Sequence, residues 1–478
     1  MYFNIPDVNI ISILPEIVLL AVGSTLLFLQ TRPERKITLS LTASCGVLLE
    51  GLLLLFFWNK KASGFDGLIV RDNLAILFHL VIVITVSLTI VFSHYYLRGD
   101  KQNRGEYYGL ILYAATGMNL MVMASDLLVI YLGMEILSLS LYVLVGFFKD
   151  TGEGIEATVK YYLLGAFSSA IFLLGVSFYY GILGRTDLTF LLLSDTASVF
   201  NTVFFFVAVA LIFVGLGFKI ASVPFHMWAP DTYEGAPMSI ASLLSVAPKV
   251  AAFAVLLRFG LGITDINRDA MVYAIGFMAV TSMIIGNFAA LRQSGLIRML
   301  AYSGIGQIGF MLIGLLAIPW GGGAALMFYL FVYAFMNMGA FGIAIHLSAR
   351  EGRRLQIIDM SGLADDHPLL ALCMAVFMIS LTGIPPTAGF FAKFYVFKVG
   401  IEAGYLEIVL VAIVMTIVSL YYYIRVVMVM YMGEAPTERI LDHPGITFFS
   451  VILGILALAI LIFGIIPGNL IDTITLAM

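Results

Sequence analysis

The chain has 478 residues, of which 61% are hydrophobic and 11% are charged, and its formal net charge at pH 7 is -4. This composition excludes a soluble core wrapped in a polar surface and is typical of a chain that crosses the lipid bilayer many times. The scattered basic residues exclude a nucleic-acid surface. The only cysteines, Cys45 and Cys373, exclude a disulfide framework, a thiolate metal site and an iron-sulfur cluster carried by this chain.

Apolar windows of about 20 residues predict about 14 transmembrane helices, and hence an all-α polytopic membrane protein. In chain order the predicted spans are 9–29, 37–58, 72–97, 107–123, 127–148, 156–184, 199–224, 236–260, 270–291, 296–317, 322–348, 368–400, 404–432 and 447–470. An even number of spans places both termini on the same side. Because Lys and Arg are concentrated in the odd-numbered loops, we expect both termini on the outer side.

Five charged residues lie inside or beside these apolar spans. They are Glu135 in the fifth span, Lys160 in the sixth, Lys219 in the seventh, Lys249 in the eighth and Lys393 in the twelfth. A charge at the bilayer centre costs about 2.5 to 3.5 kcal/mol, so such residues usually face a protein interior and belong to an ion path. The five are therefore the candidate functional residues.

Structural interpretations of these charges stay open. Glu135 and Lys219 could form a buried ion pair that only fixes helix packing. Lys160 lies close to the start of its predicted span, where its side chain could reach the membrane interface. Further polar residues in or near apolar runs are left without a role, namely Glu16, Glu50, His79 and His346.

Two spans are interrupted by proline next to a lysine. The first contains FKIASVP at 218–224, and the second contains TGIPPTAGFFAK at 382–393. Proline removes a backbone donor, and the freed carbonyl needs a partner in lipid, so paired broken helices indicate a transport site. The spacing suggests two five-helix repeats of inverted topology. We expect an N-terminal three-helix scaffold at 1–100, the repeats at 101–262 and 263–433, and a C-terminal helix at 434–478.

The residues around these lysines identify a family resemblance. The most specific segments are GFKIASVPFHMWAPDTYEGAP at 217–237, SLLSVAPKVAAF at 242–253 and LTGIPPTAGFFAKFYVF at 381–397. They resemble the antiporter-like membrane subunits of respiratory complex I, and the resemblance runs through nearly the whole chain. The acidic residue and the lysines of that family fall on Glu135, Lys160, Lys219, Lys249 and Lys393. One departure is Gln307, where many such subunits have a histidine.

The resemblance implies a subunit that moves protons while partner subunits oxidise NADH and reduce quinone. No cofactor is expected in this chain, whereas FMN, iron-sulfur clusters and quinone are expected in the partner subunits, both membrane-bound and peripheral. The implied location is the inner membrane of a bacterium. Desolvation disfavours the charged form of a lysine and a nearby carboxylate favours it, so Glu135 could switch the protonation of Lys219. Lys249 would then relay protons toward Lys393.

Other functions remain open at this stage. The chain could belong to a multi-subunit cation/proton antiporter, a membrane-bound hydrogenase or a complex fed by ferredoxin. It could also be a structural scaffold whose charges serve only assembly. The repetition of a lysine beside a broken helix favours transport, because a scaffold needs neither feature.

Overall fold

The computed structural model describes residues 8–29, 36–97, 104–148, 152–188, 199–261, 268–348, 355–434 and 448–478. These residues are almost entirely helical, and one short antiparallel hairpin joins the second and third helices, with strand β1 at Ala62–Gly64 and β2 at Ile69–Arg71. The prediction of an all-α, multi-pass membrane protein is confirmed.

The described helices have the following bounds. The first nine are α1 Leu14–Leu29, α2 Lys36–Phe56, α3 Asn73–Tyr96, α4 Gly105–Met123, α5 Leu127–Val145, α6 Gly152–Leu183, α7 Val199–Ile220, α8 Trp228–Gly235 and α9 Met238–Leu261. The remaining nine are α10 Arg268–Leu291, α11 Leu296–Leu316, α12 Gly322–Ser348, α13 Leu363–Asp366, α14 Pro368–Thr382, α15 Ala388–Glu402, α16 Leu406–Met432, α17 Phe448–Ile465 and α18 Gly468–Ala477.

Within the described ranges, 12 helices are long and apolar enough to cross a membrane. Two further predicted spans account for the difference from 14. Helix α4 has 19 residues but is more polar, because it carries Glu106, Asn119 and three tyrosines. The predicted twelfth span is divided into two helices of 15 residues each, α14 and α15. Both predicted breaks are present, since α7 also ends at Ile220 and α8 begins only at Trp228.

The chain forms two compact units. The first comprises Met1–Ile220 and Ala247–Met271, and the second comprises Ala221–Val246 and Val272–Leu476. Helix α9 contributes to both. The predicted division at residues 101, 263 and 434 stays a prediction.

In the first unit, α1 to α4 pack against one another, and α5 joins α4 to the pair of α6 and α7. Glycines allow α4 and α5 to approach closely. A Cβ on Gly117 would lie 2.5 Å from the backbone nitrogen of Leu137, and one on Gly133 would lie 2.8 Å from the carbonyl oxygen of Gly117. Small residues at such positions let two membrane helices bring their backbones together. This packing holds α5, which carries Glu135, against the N-terminal helices.

In the second unit, α12 is the central helix. It packs against α11, α14, α15 and α17, and almost all of its side chains are buried. Helix α11 is similarly enclosed, whereas α16 and α17 expose rows of large apolar side chains. A helix that is apolar on all sides is stable where protein or lipid surrounds it. The second unit is therefore arranged around α11 and α12, next to the break between α14 and α15.

Helix α9 runs without interruption through Pro248, although proline cannot donate to the carbonyl four residues before it. That carbonyl belongs to Leu244. Its oxygen accepts a hydrogen bond of 3.0 Å from the hydroxyl of Tyr233 in α8. The tyrosine therefore supplies the donor that the proline removes, and the helix stays continuous up to Lys249.

The substitution Tyr233→Phe is expected to lower the free energy of unfolding by about 1 to 3 kcal/mol, because it leaves a buried carbonyl without a donor. In a Pro248→Ala background, residue 248 regains its N–H, and the same substitution should have little effect. The measurement is the thermal unfolding midpoint of the detergent-purified variants. An equal loss in both backgrounds would contradict the pairing of Tyr233 with the carbonyl freed by Pro248.

Candidate functional site

Lys219 lies in the last turn of α7, just before the break, and its side chain is only 3% exposed. Its Nζ donates a hydrogen bond of 2.5 Å to Oγ of Ser138 in α5. The Ser138 hydroxyl in turn donates to the carbonyl of Met134. The ammonium group is thus held by a neutral hydroxyl, which leaves its charge without a contacting counter-ion among the described residues.

Glu135 is on α5, three residues before Ser138. Its Oε1 is buried and accepts no hydrogen bond from any group that the structure describes. No direct ion pair with Lys219 is present within the described ranges, but the carboxylate is near enough to act on Lys219 electrostatically. Glu135 and Lys219 therefore share one polar site in the first unit, with Ser138 as the residue that contacts the lysine.

Lys249 directly follows Pro248 in α9 and is 2% exposed. It belongs to the first unit, as do Glu135 and Lys219. The side chains around it on α9, those of Ala247, Val250 and Ala251, are also buried. A lysine enclosed in this way cannot extend its ammonium group to the membrane interface, in contrast to a lysine near a helix end.

The break between α14 and α15 frees two carbonyl groups. Pro385 and Pro386 have no N–H to donate to the carbonyls four residues earlier, which belong to Leu381 and Thr382. The Thr382 oxygen accepts a hydrogen bond of 2.8 Å from Nζ of Lys393. The helix α14 ends at Thr382 and is followed by Gly383, whose φ of 88° lies in the left-handed region that glycine adopts most readily. Lys393 therefore completes the broken helix.

The Leu381 carbonyl accepts a hydrogen bond of 3.0 Å from Nε2 of Gln307 in α11. The same nitrogen lies 3.1 Å from the hydroxyl of Tyr423, and Oε1 accepts a hydrogen bond of 2.5 Å from the hydroxyl of Tyr329. All of these groups are buried. Gln307 thus connects α11 with α12, α14 and α16. Both the nitrogen and the oxygen of its amide form hydrogen bonds to protein groups.

Lys393 also borders a cavity in the second unit. The side chain is 4% exposed, and its Nζ lies 4.6 Å from the centre of the Phe310 ring. The cavity has a volume of about 390 Å³ and is lined mainly by apolar side chains of α15 and α16. Its lining includes Gly383, Lys393, Phe390, Phe394, Lys398 and Thr416. Lys393 therefore lies at the edge of a mainly apolar cavity.

Lys160 differs from the other candidates. Its side chain is 43% exposed, and its Nζ forms an ion pair of 2.7 Å with Glu156, one helical turn earlier in α6. The helix begins at Gly152, so Lys160 lies two turns inside it. The structure therefore encloses Lys219, Lys249 and Lys393 in protein and leaves Lys160 on the surface of its unit.

Five partner groups of the lysines and of Gln307 were not predicted: the Ser138 hydroxyl, the Leu381 and Thr382 carbonyls, and the hydroxyls of Tyr329 and Tyr423. The signal for Ser138 was its position three residues after Glu135, which places the two on one face of a helix. The signal for Thr382 was Pro386, four residues later. Within the described residues no group of three or more His, Cys, Asp or Glu side chains is arranged to hold a metal ion.

Comparison with known proteins assigns the family. The family model described as NADH:quinone oxidoreductase/Mrp antiporter, TM, matches residues 124–419. NADH-quinone oxidoreductase subunit N of Trichlorobacter lovleyi is 37% identical over 474 residues, which cover 97% of this chain and 96% of that protein.

Two solved structures have the same fold. A chain of respiratory complex I from Thermus thermophilus superimposes with a TM-score of 0.83 at 30% identity, covering 96% of this chain and 99% of that one. A chain of the Mrp complex from Dietzia sp. gives a TM-score of 0.86 at 20% identity, with coverages of 98% and 97%. Similarity at 20% identity shows the fold alone, whereas the sequence relatives are named subunit N. This chain therefore belongs to the NADH-quinone oxidoreductase subunit N family, within the wider family of NADH:quinone oxidoreductase and Mrp antiporter membrane proteins.

Proposed function

We propose that this chain is a proton-translocating membrane subunit of an NADH:quinone oxidoreductase. The observation that carries the proposal is the burial of Lys219, Lys249 and Lys393 within a membrane-spanning chain whose relatives are subunit N over nearly their full length. A membrane protein retains buried ionisable groups mainly for ion pathways and proton relays.

The roles of the candidate residues follow from their surroundings. Lys219 and Glu135 form the switch, because a carboxylate that moves toward or away from a lysine changes how tightly the lysine holds its proton. Ser138 keeps the ammonium group in place while the carboxylate varies its influence. Lys249 is the relay, and Lys393 is the outlet, beside its broken helix and cavity. Lys160 has a peripheral role, supported by its exposure and its ion pair.

The redox chemistry belongs to partner subunits. FMN, iron-sulfur clusters and quinone are proposed to be bound there, in membrane and peripheral subunits, and this chain supplies the proton path that their reaction drives. Each proton moved against about 100 mV requires about 2.3 kcal/mol. We further propose that the chain lies in the inner membrane of a bacterium with both termini outside, in accordance with the basic residues of its odd-numbered loops.

A second candidate function is that of a cation/proton antiporter subunit. It is favoured by the similarity in fold to a chain of the Mrp complex. Membrane-bound hydrogenases and complexes fed by ferredoxin are related alternatives. The lower identity to the Mrp chain, and the subunit N relatives at higher identity over the whole chain, favour the oxidoreductase.

Purification of the tagged chain from membranes in mild detergent tests the proposal. We expect peripheral subunits with flavin and iron-sulfur clusters to co-purify, together with NADH:quinone reductase activity that is sensitive to quinone-site inhibitors. Co-purification with small antiporter subunits alone, without NADH oxidation, would contradict it and support the second candidate.

A further inference from the structure

The four N-terminal helices contain a second group of buried polar residues, which the lysine series does not include. It consists of Glu16 in α1, Glu50 in α2, His79 in α3 and Asn119 in α4, each no more than 2% exposed. Each lies within about two turns of the helix end that faces the β1–β2 hairpin. Because α1 to α4 pack against one another, these residues occupy one level of the first unit.

Hydrogen bonds connect three of the four residues. Nδ2 of Asn119 donates to Oε1 of Glu50 at 2.5 Å, and Nε2 of His79 lies 3.1 Å from the backbone oxygen of Asn119. A carbonyl oxygen only accepts, so Nε2 of His79 carries the hydrogen. Nδ1 of His79 has no hydrogen-bond partner in the part of the chain that the structure describes. This environment favours a neutral imidazole.

Of the four buried polar residues, Glu16 has the fewest hydrogen bonds from its side chain. Both of its carboxyl oxygens are buried and have no hydrogen-bond partner among the described residues. An ionised carboxylate in such a place is strongly unfavourable unless a positive charge lies nearby. Two charged groups act on it: Arg71 through favourable attraction, and the carboxyl group of Glu50 through repulsion when both are ionised.

Arg71 is held in a fixed position. It lies in β2 and is buried, and its guanidinium group donates to the backbone oxygens of Ile11 and Ser12 at 2.8 and 3.2 Å. The same group stacks 3.6 Å above the centre of the Phe57 ring. A guanidinium group stays charged at all relevant pH values. It therefore provides one permanent positive charge beside Glu16.

A count of charges indicates how many protons the buried group binds. The other charged groups that face this region, Asp72 and Arg258, form their own ion pair at 2.7 Å and cancel each other. The remaining groups are two carboxyl groups, one guanidinium group and a neutral imidazole. The buried group is electrically neutral only if the carboxyl pair binds one proton. Arg71 favours the ionised form of Glu16. The Asn119 amide is compatible with a protonated Glu50, because it then donates to the carbonyl oxygen of the acid, so we assign the proton to Glu50.

We propose that Glu16 and Glu50 form a proton-binding site at the hairpin end of the N-terminal helices, with one proton held on Glu50 at neutral pH. This inference goes beyond the proposed function and does not depend on it, since it concerns a protonation state that can be measured without turnover.

Labelling of the assembled protein in membranes with dicyclohexylcarbodiimide, an apolar reagent for protonated carboxyl groups, tests the site. The carboxyl oxygen bonds to the central carbon of the carbodiimide, the carboxyl proton moves to a reagent nitrogen, and the adduct rearranges to a stable N-acylurea. At neutral pH we expect the label on Glu50 and not on Glu16, as read by peptide mass spectrometry. Glu402 in α15, which is exposed, serves as the unlabelled control.

Two variants show whether Glu50 is protonated because of the charges around it or only because it is buried. Glu16→Gln leaves one carboxyl group with one guanidinium group, so labelling of Glu50 should fall at least about tenfold. Arg71→Met removes the positive charge, and both carboxyl groups should then be labelled. Unchanged labelling of Glu50 in Glu16→Gln, or labelling of the wild-type chain only at acid pH, would overturn the proposal.

Infrared spectroscopy provides a readout that does not require entry of the reagent. The carboxylic acid carbonyl band of the wild-type assembly should lose one component in Glu50→Gln and none in Glu402→Gln. If Glu50→Gln leaves this band unchanged, Glu50 is ionised and the proposal is wrong.

Discussion

Lys219→Met is expected to decrease proton translocation by the assembled enzyme on the order of 100-fold, since the buried group that accepts and releases the proton is removed. Methionine has a similar length and fills the apolar space around the helix end. The Ser138 hydroxyl keeps its acceptor, the Met134 carbonyl, so the packing between α5 and α7 should be preserved. The measurement is NADH-driven acidification in proteoliposomes that contain the purified enzyme.

Two further variants separate charge from proton exchange at this position. Lys219→Arg keeps a positive charge and a donor for Ser138 but cannot release a proton, so assembly should be normal and pumping should still be lost. Glu135→Gln removes the carboxylate that acts on Lys219 and should also reduce pumping. Lys61→Ala, which changes an exposed lysine next to the hairpin, is the control and should pump normally. Normal pumping by Lys219→Met would reject its role.

Lys393→Met should have two separable effects. The Thr382 carbonyl loses its donor and stays buried, which lowers the free energy of unfolding by about 1 to 3 kcal/mol. Proton translocation should fall as well, because the buried titratable group beside the break is removed. The first effect is measured as the thermal unfolding midpoint of the purified membrane assembly, and the second by acidification in proteoliposomes.

Lys393→Arg distinguishes the two effects. Arginine can still donate to the Thr382 carbonyl, so much of the stability should return, whereas pumping should stay low because the guanidinium group does not deprotonate. Lys61→Met, which changes an exposed lysine next to the hairpin, is the control and should change neither quantity. Wild-type pumping by Lys393→Arg would show that proton release at residue 393 is not required.

Much of the fold was predictable because apolar length and proline position act locally. The breaks after Ile220 and Thr382 follow from prolines, which lack the N–H groups that would continue the helical hydrogen bonds, and the structure has both breaks. The partners of those carbonyls were not predictable in the same way. Gln307 and Lys393 reach Leu381 and Thr382 only because α11 and α15 have particular rotations about their axes. Rotation depends on packing with several helices at once, which no local pattern encodes.

In the candidate site, too, some features were predictable from the sequence and others depend on how the helices pack. The burial of Lys219, Lys249 and Lys393 was expected from the cost of placing charge in lipid, and all three are buried. The same argument did not separate Lys160, because a charged side chain in an apolar span can face protein or lie at a surface beside Glu156. Glu16 and Glu50 had no assigned role because their nearness depends on how α1 and α2 pack. The functional roles of all five candidate residues stay predictions.

The hydrogen bond from Lys393 to the Thr382 carbonyl affects how easily the lysine can gain and lose its proton repeatedly. A carboxylate partner would be left with an unbalanced charge each time the lysine became neutral, and the surroundings would have to rearrange. The carbonyl of Thr382 carries no net charge, and a neutral amine still has hydrogens to donate to it. The contact that closes the broken helix can therefore persist in both protonation states, so the backbone need not open and close with each proton carried.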